Sequence, residues 1–315
     1  MHPLTTLPVA FVSDAVLPAL HSPDLDWHVH SVFRQALNLE AGGRLVAVAP
    51  QAAGGLPNGV SIAGRADFQA LRVAEGMAVV GRWPRFDLPA AGLSLELGRA
   101  WSWSPRLRSG TIDPLDAGIR RRTALAADIV AARATMVGFG ECVALLHVKT
   151  ARTAVAASTI TLTPREMPSW ASAAAIGLRS IETLRDALAA HDLPTALSAA
   201  DALVGLGDGL TPSGDDLLVG LTAALRAVGH PAAAPLATHA AARAVGRTTD
   251  VARVALEHAA RGEYAERLHD VLEAVARGDD SAVGLQIGRA LAWGASSGAD
   301  TMLGVLIGLE AMAQA

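Results

Sequence analysis

Cysteine is almost missing from this chain of 315 residues. Cys142 stands alone, so neither an internal disulfide nor a thiolate cage for a metal can form. A single thiol fits a reducing compartment and a buried, inert role, and the expected location is the cytoplasm. Charge is scarce too, at 18% of residues, and 26 basic against 30 acidic side chains leave a net charge of -4. That balance argues against a nucleic-acid partner, which calls for a basic stripe. Lysine occurs once, at Lys149, far from any glycine loop, which removes a Walker-type phosphate loop. Apolar runs such as LLVGLTAAL stop well short of the ~18 residues of a bilayer span. The first twenty residues lack a basic start and carry Asp14 inside their apolar stretch, so neither a signal peptide nor a membrane anchor is expected.

What is present is apolar and small. Hydrophobic residues make up 51% and glycines number 30, which excludes a disordered chain, and the length suggests about two domains. Up to about residue 110 the pattern is one of short strands and turns. RLVAVA (44–49) and MAVVGR (77–82) read as buried strands, Asn58 and Gly59 between them as a left-handed turn pair, and WSW (101–103) as a further strand. HVHSVFRQALNLE (28–40) fits either an amphipathic helix or a strand. From Asp113 onward the period changes to 3.6, with Pro114 suited to a first helical turn. CVALLHV (142–148) reads as a return to the sheet. After Pro168 nearly everything is alanine-rich helix: 169–191, 195–205, 214–228, 231–245, 249–260, 263–277, 281–293 and 299–312. The expected class is α+β, a β-rich module over 1–110 followed by an all-α domain over 111–315.

One segment stands apart from the alanine background, GLGDGLTPSGDDLLVG at 205–220. Gly205, Gly207 and Gly209 loosen the backbone ahead of Thr211 and Pro212, which suit an N-cap and first turn. Ser213 and Asp216 have the spacing of a capping box. Such a start presents N–H groups and the positive end of the helix dipole to an anion. The pattern recurs at a constant offset of 84 residues (297 against 213): Ser213-Gly214-Asp215-Asp216 with Gly220 aligns with Ser297-Gly298-Ala299-Asp300 with Gly304. The later glycines mark close helix crossing. If Asp216 and Asp300 cap their own helices, Asp215 has no capping duty, because Ala299 holds its place in the second copy, and it is the residue left for chemistry.

The expectation is therefore two helix N-termini facing each other across one pocket. Asp215, Asp216 and Asp300 are the candidate catalytic carboxylates, as general base, proton relay or Mg²⁺ ligand. Gly207, Asp208, Gly209, Thr211, Ser213, Gly214, Ser296, Ser297 and Gly298 are the candidates to hold a small anion, with Asn58 and Asn38 reaching in from the first module. An old helix-pair duplication carrying two capping boxes explains the spacing equally well.

Other patterns carry less. GASSG (294–298) matches a nucleophile elbow formally, yet a helix precedes it and no histidine follows His269. GLGDG lacks the third glycine of a dinucleotide fingerprint. His28 and His30 share a face if that piece is a strand, but no third metal ligand accompanies them. The remaining histidines and the arginines at 120–122 read as solvated, and Thr248 and Thr249 as an N-cap.

The central motif GLGDGLTPSGDDLLVG, with SSGADTMLG, SVFRQALNL (31–39) and LPNGVSI (56–62) in the same order, resembles the family named for the AllH subunit of oxamate carbamoyltransferase, over about residues 28–312. Asp208 departs from the proline often found there in that family and adds a carboxylate beside the proposed pocket. The resemblance implies a part in purine and allantoin breakdown, where oxalurate and phosphate interconvert with oxamate and carbamoyl phosphate. It also implies partner subunits, one of them FdrA-like; self-association into a homo-oligomer is a further option. Two readings follow, a catalytic carbamoyltransferase component or a non-catalytic ligand-binding or scaffolding subunit, with a ureido-acid hydrolase as a weaker third.

Overall fold

The computed structural model describes residues 4–134, 137–140, 142 and 169–311. The strand expected at 142–148 lies, beyond Cys142, outside them. The chain forms two compact units, one running to Arg106 and including Glu263–Glu266, the other made of Leu107–Gly262 and the residues from Arg267 on.

In the first unit, alternating apolar residues build strands that close on themselves. In chain order these are β1 (Thr5–Ser13), β2 (Trp27–Val32), β3 (Leu37–Ala41), β4 (Arg44–Pro50), β5 (Gly59–Ile62), β6 (Ala78–Arg82), β7 (Arg85–Leu88), β8 (Leu93–Glu96) and β9 (Trp101–Trp103), with a short helix α1 (Leu17–Leu20). Their order is β5-β4-β3-β2-β6-β7-β8-β1-β9, and a further pairing of β1 with β5 makes the sheet barrel-like. Closure leaves few open edges, and the interior is filled by side chains such as Val12, Leu39, Val48, Ile62, Phe86 and Leu95. The ambiguous stretch at 28–40 is a hairpin: Val29 and Leu39 are paired and buried, while His28 turns outward to place Nε2 2.9 Å from Glu40 Oε2. Strand β6 is only half buried, with Val79 inside and Val80 exposed. The left-handed pair expected at Asn58 and Gly59 is not formed. Strands β4 and β5 run parallel, so no tight hairpin turn joins them. Gly59 is needed instead because a Cβ there would stand 2.8 Å from the Leu56 carbonyl oxygen. The residues at 263–266 join this unit through backbone bonds, Tyr264 N–H to Pro105 O and Glu266 N–H to Gly55 O, at 2.8 and 2.9 Å.

The second unit is helical: α2 (Ala117–Arg133), α3 (Ser169–Ala189), α4 (Leu193–Leu203), α5 (Ser213–Ala227), α6 (Ala233–Ala244), α7 (Asp250–Ala260), α8 (Glu266–Arg277), α9 (Asp280–Leu291) and α10 (Ser297–Glu310). Helix α2 starts later than Pro114 suggested, because Asp116 is the N-cap and accepts from Ile119 N–H at 2.9 Å. Arg122 is not merely solvated: it donates to the Val275 and Ala276 carbonyls at 2.7 and 2.9 Å, satisfying the orphan acceptors at the end of α8. His230 and His258 are buried rather than at the surface. Helices α5 and α10 are apolar on nearly every side and form the centre of the unit, as helices without a polar face must. Among the described residues, no helix is long and apolar enough to cross a membrane.

Candidate functional site

Glycine brings α5 and α10 into backbone contact. A Cβ at Gly220 would collide with the Thr301 carbonyl oxygen, one at Gly304 with that of Leu217, and one at Gly308 would stand 2.8 Å from that of Leu221. From Leu217 with Gly304 to Leu221 with Gly308 both numbers rise by four, so the two helices run in the same direction. Their N-termini therefore lie side by side at one end of the pair, and the expectation that they face each other is corrected.

The N–H groups expected to hold an anion have partners within the chain. Gly214 N–H donates to Leu206 O and Gly298 N–H to Trp293 O, each at 2.9 Å, while the Asp215 and Asp216 N–H groups go to Pro212 O and that of Asp300 to Ser296 O. Gly214 and Gly298 are glycine for another reason: a side chain would collide with the last carbonyls of the preceding helices, at Leu203 and Ala290.

The capping boxes are not formed either, since neither helix has a side-chain cap. With their own N–H groups bonded locally, the acidic side chains pair across the helix interface. Asp216 of α5 lies against the hydroxyls of Ser297 and Thr211, and Asp300 of α10 against those of Ser213 and Ser296. Thr211 and Ser297 bond each other at 2.8 Å. The exchange is nearly two-fold: each copy of the duplicated motif supplies the serine that meets the other copy's aspartate. The copies then diverge. Phe139 N–H donates to Asp300 Oδ1 at 2.7 Å, and the neighbouring Gly138, at φ +66°, would with any side chain stand 2.7 Å from Asp300 Oδ2 and from Ser213 Oγ.

Burial raises both carboxyl groups. Burial, reinforced by the charge of Asp300, pushes the Asp216 carboxyl up to about 8 against the pull of the Ser297 and Thr211 hydroxyls and of the Arg267 guanidinium. Burial also raises Asp300, opposed by the Phe139 N–H and the serine hydroxyls. In each of the two, Oδ2 is buried and, among the described residues, without a hydrogen-bond partner. Such an atom costs about 1–3 kcal/mol unless something meets it.

Asp215 is differently placed. Its Oδ1 accepts from Gly205 N–H at 3.0 Å and its Oδ2 from the Thr248 hydroxyl, so it ties the glycine loop to the segment before α7. Without capping duty for Asp216, elimination no longer singles out Asp215. Asp215→Asn is expected to lose about 1–3 kcal/mol in thermal or urea unfolding, through the broken Thr248 and Gly205 bonds, with the pH profile of any activity unmoved. A shifted profile at unchanged stability would refute that positioning role.

Of the other expected residues, Gly207 packs on Ser213, whose backbone nitrogen would lie 2.8 Å from a Cβ there, while Asp208 and Gly209 are exposed on the loop. Asn58 and Asn38 belong to the first unit, where Asn58 Nδ2 donates to Leu45 O at 3.2 Å and Asn38 Nδ2 to Ser31 Oγ at 2.8 Å. Among the described residues, no group of three or more His, Cys, Asp or Glu is arranged to hold a metal ion.

Sequence reasoning missed Arg267 and Trp293. The guanidinium carbon lies 3.4 Å from the centroid of the indole ring, and Nη1 is buried without a partner. Burial lowers the guanidinium to about 10, and Asp216, close enough to interact, offsets part of that. The available signal was an arginine in the first turn of a helix, where the dipole disfavours a cation.

Two family models match the chain, oxamate carbamoyltransferase subunit AllH over residues 203–309 and the AllH family N-terminal domain over residues 9–102. No curated protein and no solved structure matches it. The first description names a subunit, which implies an assembly of more than one chain. The first match spans both copies of the SGxD motif and the second spans the barrel-like sheet, and on these two matches the chain belongs to the AllH family of oxamate carbamoyltransferase subunits.

Proposed function

We propose that the paired N-termini of α5 and α10 form a proton-handling site for carbamoyl transfer between phosphate and a small amide acid of the oxamate class. One observation carries this reading: two carboxyl groups, Asp216 and Asp300, sit across a helix pair, each with one oxygen buried and without a hydrogen-bond partner among the described residues. The family's name supplies the reaction.

The chemistry asks for what such a pair offers. An amide nitrogen is a poor nucleophile until it loses a proton. In the forward direction the nitrogen attacks the carbamoyl carbon, the bond from that carbon to the phosphate oxygen breaks, and the nitrogen's proton passes to a carboxylate. In phosphorolysis the proton returns to the departing nitrogen. A raised carboxyl group both gives and takes a proton near neutral pH, which suits each direction. Two ionised carboxylates would repel anionic reactants, and the upward shift of both groups lessens that repulsion. Both helix dipoles point their positive ends toward the same place. We place the reaction in purine and allantoin breakdown, with an FdrA-like chain as the partner subunit.

The test is an assay of the full chain, alone and with its FdrA-like partner, using oxamate plus carbamoyl phosphate and following phosphate release. Turnover that falls at least 100-fold in the Asp216→Asn, Asp300→Asn double variant supports the reading. Turnover left intact by that substitution overturns it, and ligand binding without turnover in any combination assigns the chain to the non-catalytic, ligand-binding role.

A further inference from the structure

The site just described lacks an unoccupied backbone donor at Gly214 and Gly298, the two places where an anion was expected, so the question is what meets the negative charge of the reactants. Arg267 answers it by geometry. Its guanidinium is stacked on Trp293, and its Nη1 is buried and, among the described residues, without a hydrogen-bond partner. The acid beside it is Asp216, whose carboxyl burial raises, so its charge offsets only part of the burial cost of the Arg267 guanidinium. A guanidinium held against an aromatic ring with one buried nitrogen left without a hydrogen-bond acceptor is incompletely satisfied, and an oxyanion would complete it.

We propose that Arg267, held by Trp293, is the anion-binding residue of this site and takes a planar or tetrahedral oxyanion, a carboxylate or a phosphate, through its Nη1 edge. This rests on the reading of the Asp216 and Asp300 pair as the reaction site, but it can fail while that reading stands. Trp293 is a positioning residue: its ring holds the guanidinium in the orientation that leaves one edge pointing away from the stack. Arginine suits the task better than lysine, because a planar fork matches a carboxylate or phosphate edge with two parallel bonds.

The experiment titrates inorganic phosphate and, separately, oxamate into the full chain and its variants, by calorimetry and by the change in tryptophan emission. The expected result is that at least one anion binds, that its affinity drops about 30-fold in Arg267→Met and about 10-fold in Arg267→Lys, and that the emission change is lost in Trp293→Phe. The anion whose affinity responds identifies the source, phosphate as the group leaving the carbamoyl carbon or carboxylate as part of the acceptor. If Arg267→Met does not fold, Arg267→Lys carries the same comparison. Equal affinity in wild type and folded Arg267 variants overturns the proposal, as does the absence of binding by either anion. Loss of turnover in Asp216→Asn with anion affinity unmoved in the Arg267 variants refutes this inference alone. Intact turnover in the carboxyl double variant refutes the underlying reading.

Discussion

Gly220→Ala is expected to lower the stability of the helical unit by about 3 kcal/mol, the upper end for overpacking a close-packed interior. For a domain of this size that is a fall of roughly 6–12 °C in melting temperature. The reason is what the new methyl meets: the Thr301 carbonyl oxygen, a backbone atom that cannot rotate out of the way as a side chain can. To make room, α5 and α10 must part along their whole length, losing contacts on both sides of the most buried pair of helices in the unit. Gly304→Ala meets the Leu217 carbonyl and should behave alike. Gly284 in α9 is the control, because a Cβ there would meet only Ile129 Cδ1 at 3.9 Å. Gly284→Ala should gain about 0.5–1 kcal/mol from helix propensity. Calorimetric melts of the three variants separate the cases, and a Gly220→Ala protein melting with the wild type would show that the helices are not in backbone contact.

The second large effect belongs to Asp216. Its carboxyl is held at about 8 in the folded chain, against about 3.9 in an unfolded one. Between those values the folded state keeps a proton that the unfolded state has released, so stability falls as pH rises from about 4 to about 8, by up to ~1.4 kcal/mol per pH unit. Below that window both states are protonated, and above it both are ionised, so the slope vanishes at each end. Asp216→Asn has no proton to bind, and its stability should be flatter over this range and higher than wild type at pH 7. Asp300 is shifted in the same direction, so part of the slope survives in the single variant. Turnover should move the other way, falling about 100-fold or more, because an amide cannot pass a proton. A variant that retains the wild-type slope would show that Asp216 is ionised when folded.

Much of this architecture was legible from period alone. The change from alternation to a 3.6 repeat near residue 110 separates strand from helix, and the alanine-rich segments correspond closely to the observed helices, from α3 to α10. The glycines of the duplicated SGxD motif do mark close crossing, as their spacing suggested. What the motif concealed was direction. Ser213 with Asp216 has the spacing of a self-capping helix, yet spacing cannot tell whether a serine three residues upstream or one on a neighbouring helix takes the carboxyl group. The hairpin at 28–40 was hidden for a related reason: its apolar residues fit one face of a helix as well as the inward side of two short strands, and only pairing with β4 and β6 decides.

By itself, then, the amino-acid order determined the α+β class and the repeat, because these depend on local periodicity and on residue type. Tertiary structure decided that the two helices run side by side, that Asp216 and Asp300 exchange serines, and that Arg267 stacks on Trp293 beside them. Those outcomes depend on which surfaces approach closely enough to exclude water, and desolvation, which shifts a proton's affinity, is set by the assembled interior.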